Sequence, residues 1–339
     1  MYILPTLDYE LYLGSSTGSV DNCLIRPTTM LCRCVADANA KFTFFVDATY
    51  LLRLKDYTSV STQASADYNK IVNQLESLSR QGHDLELHIH PHWAYSNYDD
   101  GHWTLDDHHY CLHDMTADEA VSLVGNCKAL LEQIKQDEVR VYRAGGFSTQ
   151  PTSLLADVFR ACNLVADSSV CPGMVYHSPH QQYDYSNCPA KSMYRFSDNI
   201  CVENQQGHFI EIPISMFNVS PLFHWRFALR KVFKSSRHTT IGDGVSIPAT
   251  KQSIRRRLLH YTPCIITNDG MKVDNLFAAY KSMRAAGSDL MCIIGHPKLA
   301  TRYSIDMFGL FSKQVAENGD SFVTAAELIA KELAKAKKQ

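Results

Sequence analysis

The run Gly82-His83-Asp84-Leu85-Glu86-Leu87-His88-Ile89-His90-Pro91-His92-Trp93 closes with three imidazoles at alternate positions. Side chains alternate along a β-strand, so His88 and His90 share the face opposite Ile89, and Pro91 interrupts regular pairing as the third imidazole arrives. Imidazoles fanned from one strand mouth can converge on a metal ion, and their nitrogens suit zinc and its first-row neighbours. A lone histidine there would more often be a hydrogen-bonded polar residue; three in five residues favour a metal. A catalytic zinc usually takes three protein ligands and keeps one position for water, so a carboxylate or another imidazole is expected from a neighbouring strand end. Thr6-Leu7-Asp8-Tyr9-Glu10 offers Asp8 and Glu10 on one side by the same alternation. One could bind the ion while the other serves as a base; two solvated acids on a loop would look the same.

These residues need strands to position them. Short β-rich runs alternate with helical stretches, the pattern of a parallel sheet or barrel. Strands are expected at Tyr2–Leu7, Lys41–Val46, Asp84–His90, Val139–Arg143, Leu164–Asp167, Phe209–Ile214, Cys264–Thr267, Leu290–Gly295 and Phe322–Val323. Helices are expected at Thr28–Ala38, Ala66–Gln81, Ala117–Gln133, Ser153–Cys162, Asn275–Ala286 and Ala325–Lys335. Thr116-x-x-Glu119 and Thr324-x-x-Glu327 are capping boxes that mark two of these starts. The polar segments 97–115 and 172–204 break the alternation and read as a loop and a loop or small hairpin. With no repeat and no linker, the expectation is one domain over residues 1–339 with elaborated loops.

Taken in order along the chain, the motifs resemble those of the polysaccharide deacetylase superfamily, also called NodB-homology or carbohydrate esterase 4. Thr6-Leu7-Asp8-Tyr9-Glu10 is similar to its first motif, with the second acid one residue late. Gly82 to His92 is similar to its second motif, matching His88 and His92. Arg143-Ala144-Gly145-Gly146-Phe147-Ser148 is similar to the third, and Ile293-Ile294-Gly295-His296-Pro297 to the last. The resemblance implies a distorted (β/α) barrel of about seven parallel strands with its site at the C-terminal mouth. It implies a divalent ion, zinc by expectation, on Glu10, His88 and His92, with Asp8 as base, Arg143 orienting Asp8, and His296 as acid. Tyr9, His90, Trp93 and Phe147 are placed around the pocket. The family's Asp-Trp motif is missing; Asp167 in Asp167-Ser168-Ser169-Val170 could stand in for its carboxylate, and Asp269 is the rival.

Composition sets bounds on the partners. The 339 residues carry 33 Lys+Arg against 35 Asp+Glu, a net charge of −2, which argues against nucleic acid as the main partner. At 45% hydrophobic residues the chain is globular rather than disordered. Eleven cysteines without a CxxC fit reduced thiols, and no export signal is read at the N-terminus, so the expected location is the cytoplasm. An N-acetylated sugar is the expected substrate, as a nucleotide- or lipid-linked precursor of a surface polysaccharide. Arg255-Arg256-Arg257 and Lys335-x-Lys337-Lys338 could attract its phosphates or simply be solvated. The segment 222–237 reads as a basic amphipathic helix that could meet the inner face of a membrane, although packing on the core is the commoner use of such a stripe. Two alternatives stay open: another barrel metallohydrolase, of the amidohydrolase or PHP type, and a catalytically silent glycan-binding relative.

Overall fold

The computed structural model describes residues 1–99, 101–178, 181–232, 235–247 and 250–336. The backbone divides into two compact units, each made from two stretches of chain. Met1–Ala40 joins Ser215–Phe322 in the first, and Lys41–Ile214 joins the segment from Val323 onward in the second.

In the first unit the strand Tyr2–Tyr9 pairs in parallel with Leu290–Ile293, from Tyr2 opposite Leu290 to Pro5 opposite Ile293, and with Ser321–Phe322. Every residue of this strand after Tyr2 is buried, as expected for a parallel strand covered on both faces. The helices Arg26–Cys34, Asp274–Ala285 and Arg302–Glu317 belong to this unit. The last was not expected from sequence. Thr301 caps it by accepting from the Ser304 amide at 3.0 Å, and it buries Ile305, Phe308, Phe311 and Val315. Thr262–Ile265 also departs from expectation, running antiparallel to Met216–Val219; Thr267 alone makes the parallel bridge, to Ile294. Close packing explains Gly295: a Cβ there would fall 1.8 Å from the Asn268 Oδ1 atom.

The second unit holds a sheet in the order Tyr194–Phe196, Phe209–Glu211, Ala166–Asp167, Val141–Ala144, Asp84–Ile89, Thr43–Asp47. Only the Tyr194–Phe196 edge is antiparallel. Helices Ala48–Asp56, Thr62–Arg80, Ala117–Lys135, Thr152–Cys162 and Ala325–Ala336 accompany it, so the expected α/β class with parallel strands holds. Both capping boxes form: Glu119 and Glu327 each accept from the amide of the cap threonine at 2.9 Å. Ala48–Asp56 is an unexpected helix, entered directly from a strand because Asp47 accepts from the Tyr50 amide at 3.2 Å. Under the sheet, Lys135 is buried between Asp84 at 2.9 Å and Glu86 at 2.8 Å, and the other Glu86 oxygen takes the amides of Arg140 and Val141. Thr43 Oγ1 and the Ala326 amide donate to the second Asp84 oxygen, at 3.2 and 3.0 Å, so all four oxygens of the two buried acids are satisfied.

The two loop regions contain small hairpins, Asn97–Asp99 with His102–Thr104 and Val175–His177 with Gln182–Asp184. The expectation of reduced thiols is corrected at one pair: Cys188 and Cys201 form a disulfide, and the other nine cysteines keep their thiols. The Cα atoms of the bonded pair lie 4.1 Å apart across 13 residues of sequence.

Candidate active site

The first unit gathers three acids, an imidazole and a lysine around its strand ends. Asp8 is the penultimate residue of the strand Tyr2–Tyr9, its amide donating to the Gly295 carbonyl at 2.8 Å, and Glu10 follows just past the strand end. His296 leaves the neighbouring strand with Nε2 3.7 Å from both the Asp8 and Glu10 carboxylates. Its other nitrogen, Nδ1, lies 2.9 Å from Asp269 Oδ2, and its backbone amide donates to Asp269 Oδ1 at 2.8 Å. Asp269 thus fixes the imidazole in both position and orientation. Burial pushes the His296 pKa down, but Asp269, then Asp8 and Glu10, outweigh burial and hold it above its ordinary value. Burial acts on Asp269 in the opposite sense; the His296 charge and hydrogen bonds prevail, and its pKa is lowered. The pair is therefore set up as carboxylate and imidazolium.

Lys298 completes this group. It is buried, with Nζ 2.9 Å from Glu10 Oε1 and 2.5 Å from the Leu11 carbonyl, and its own carbonyl accepts from the Tyr12 hydroxyl at 2.7 Å. Behind Asp269 opens a cavity of about 440 Å³, lined by Arg230, His238, Lys272, Met271 and Leu299 among others.

In the second unit His88 and His90 stand together at the end of Asp84–Ile89. Their rings are 4.7 Å apart and nearly perpendicular, and their ligand nitrogens lie within 4.8 Å of one another. His88 Nδ1 is 2.9 Å from the Arg143 carbonyl, which makes Nδ1 the protonated nitrogen and leaves the lone pair on Nε2. Two buried imidazoles at this spacing, one with its tautomer fixed, are a donor set that fits zinc. His92 continues the fan, 5.4 Å from His90 and stacked on Tyr110 at 6.0 Å. Gly145 must be glycine for this fan to stand, since a Cβ there would lie 2.5 Å from His90 Nδ1.

Arg143 is fully buried, with Nε 2.7 Å from the Ser168 carbonyl, an amino nitrogen 3.0 Å from Ser168 Oγ, and its carbon 3.9 Å above the Phe45 ring. Asp167 accepts from Ser169 through its amide at 2.7 Å and its hydroxyl at 2.8 Å, and stands in register with Glu211. Burial, more than these hydrogen bonds, decides the Asp167 pKa, which is raised. Of the two carboxylates put forward for the missing motif, Asp269 is the one bonded to His296. Among the residues placed near the pocket, Tyr9 is buried in its strand and Phe147 is half-buried at a positive φ of 63°. Trp93 packs in an aromatic group with Tyr50 and Trp103, centroids 4.9 and 5.0 Å away. A further grouping, Cys111, His113 and Asp114, is a turn cap: Asp114 accepts from the Cys111 amide at 2.7 Å. Lys298 went unseen in the sequence, where its signal is the position two residues beyond His296.

No protein-family model and no curated protein sequence matches the chain. Solved structures do. A chain from Mycobacterium smegmatis described as a polysaccharide deacetylase aligns over 99% of this chain and 91% of its own, at 14% identity and a TM-score of 0.54. The allantoinase PuuE aligns over 96% and 87% at 10% identity and a TM-score of 0.49. A family 4 acetyl xylan esterase from Clostridium thermocellum aligns over 97% and 91% at 12% identity and a TM-score of 0.43. At 14% identity the first of these likenesses speaks to architecture alone, and the architecture of this chain is that of the polysaccharide deacetylases.

Proposed function

We propose that the chain is a metal-dependent hydrolase that removes an N-acyl group, acetyl above all, from an amino sugar. The observation that carries this reading is the His296–Asp269 pair beside Asp8 and Glu10, a half-buried imidazolium with carboxylates in reach. The metal ligands in this reading are Glu10, His88 and one of the two imidazoles that follow it, His90 or His92. A divalent ion bound there supplies Lewis-acid polarisation of the amide carbonyl and a water of lowered pKa. Asp8 takes the proton of the attacking water, and Arg143 keeps the orienting role toward Asp8 that the resemblance implies. His296, held charged by Asp269, gives its proton to the nitrogen as the C–N bond breaks, because an amine anion is too poor a leaving group to depart unprotonated. Asp269, rather than Asp167, is the orienting carboxylate in this assignment.

The substrate we propose is a nucleotide- or lipid-linked amino sugar of surface-polysaccharide synthesis. In its support, Arg230, Lys272 and His238 line the cavity behind Asp269, where a phosphate would be welcome. Metal analysis of the purified protein, joined to an amine-release screen over N-acetylated sugars with and without phosphate, tests both parts. His296→Ala should abolish amine release and retain the metal; full activity in that variant sinks the assignment. His90→Ala and His92→Ala distinguish the third ligand, since only the true one should lose bound metal, by about tenfold or more in affinity.

A further inference from the structure

Exposed apolar side chains are not spread evenly over this protein. Of the fifteen large hydrophobic residues exposed among the described residues, eight fall between positions 222 and 261: Leu222, Trp225, Leu229, Val245, Ile247, Ile254, Leu259 and Tyr261. The same stretch, residues 221–261, carries nine Lys+Arg and one acid, Asp243, in a chain whose net charge is −2. The two features share one structural element pair. Helix Pro221–Val232 packs against helix Lys251–Leu259, and at the exposed edge of this contact the Trp225 indole donates to the Leu258 carbonyl at 3.1 Å.

The first helix is sorted by face. Its inner side is tied down: His224 Nε2 lies 3.2 Å from Thr262 Oγ1, and Arg230 pairs with Asp274 at 2.9 Å. Leu222, Trp225 and Leu229, at i, i+3 and i+7, form the opposite stripe and are 67%, 51% and 57% exposed, with exposed Arg226 beside them. The sequence alone left core packing as the commoner use of this stripe; in the structure the stripe faces outward. On the second helix Arg255, Arg256 and Arg257 are all exposed next to Ile254 and Leu259.

We infer that this face docks on an anionic lipid bilayer, with Leu222, Trp225 and Leu229 entering the headgroup boundary and Arg226, Lys251 and Arg255–Arg257 meeting the lipid phosphates. Charge and shape both select this occupant. A nucleic acid would answer the arginines but leave the aliphatic leucines and isoleucine against water, whereas a bilayer surface accepts both, with tryptophan and tyrosine at the headgroup level. No described helix is long and apolar enough to cross a membrane, so the contact is peripheral. The inference stands apart from the reaction proposed above and needs neither the metal nor turnover.

The test is sedimentation of the full chain with phosphatidylcholine vesicles and with vesicles of phosphatidylcholine and phosphatidylglycerol. Binding is expected only to the anionic vesicles and should weaken as salt is raised. Leu222→Ser/Trp225→Ser/Leu229→Ser and, separately, Arg255→Ala/Arg256→Ala/Arg257→Ala should each weaken it by about tenfold or more, with unchanged circular dichroism melts. Should the first variant melt early, quenching of Trp225 by brominated lipid gives the same answer on the wild-type protein, with Trp225→Phe as its blank. Absence of binding to anionic vesicles, variants that bind as tightly as wild type, or binding to duplex DNA in place of vesicles would each overturn the inference.

Discussion

Lys298 places a positive charge on Glu10 in a buried setting, 2.9 Å from the carboxylate that the proposed function assigns to the metal. Breaking a buried pair by removing one partner costs about 3–5 kcal/mol, because a charge is left uncompensated. Lys298→Met should therefore lower the melting temperature of metal-free protein, and added zinc should raise it more than in wild type, since the ion replaces the missing charge. Equal zinc-induced shifts in the two proteins would separate Glu10 from the metal. At this scale the sequence was partly legible. Alternation on one strand was enough to pair His88 with His90 and Asp8 with Glu10, because period 2 is local. The carboxylate behind His296 was not decidable, since Asp167 and Asp269 both follow strand-like runs and only the fold tells which one meets the imidazole. Lys298 was invisible for the same reason: a buried lysine looks like a surface one until its partner is known.

The element scale shows how a strand start can be tuned by one imidazole. His83, just before Asp84–Ile89, accepts from the Phe42 amide at Nδ1 over 3.0 Å and is buried. Burial, helped by Lys41, pushes its pKa down to about 4. The unfolded chain then binds the proton more readily than the folded one, so this contribution is fully present above pH ~6.5 and is lost as pH falls toward 4. Lowered that far, the imidazole contributes at most about 3 kcal/mol to stability near neutral pH. His83→Asn, whose side-chain oxygen can still accept from Phe42, should lose less stability than wild type between pH 7 and 4.5, read as urea midpoints. Parallel midpoints in the two proteins would remove His83 from the acid response. The elements themselves were legible where a signal was local, as at both capping boxes. Ala48–Asp56 was missed because its cap, Asp47, is also the last residue of a strand, and Thr262–Ile265 was misread because a short apolar run does not announce its direction.

At the scale of the molecule, composition and element order sufficed for the α/β class, but not for the division into two units whose segments interleave along the chain. Long-range closure leaves no periodic trace in a sequence. The helix Ala325–Ala336 shows its weight: it buries Leu328 and Ile329, and the amides of Ala325 and Ala326 donate to Thr43 Oγ1 at 2.8 Å and Asp84 Oδ2 at 3.0 Å. Each buried aliphatic contributes about 1.5–3 kcal/mol. A chain ending at Phe322 should accordingly lose several kcal/mol from the second unit, seen as a lower urea midpoint; an unchanged midpoint would make the helix dispensable.

The pairing of Tyr2 with Leu290 has a consequence for synthesis. Both partners of the first strand within its own unit lie near the far end of the chain, so they emerge from a ribosome some 15–60 s later at about 5–20 residues per second. For that interval the apolar segment Ile3-Leu4-Pro5-Thr6-Leu7 lacks those neighbours, and a nascent-chain chaperone is the natural thing to hold it.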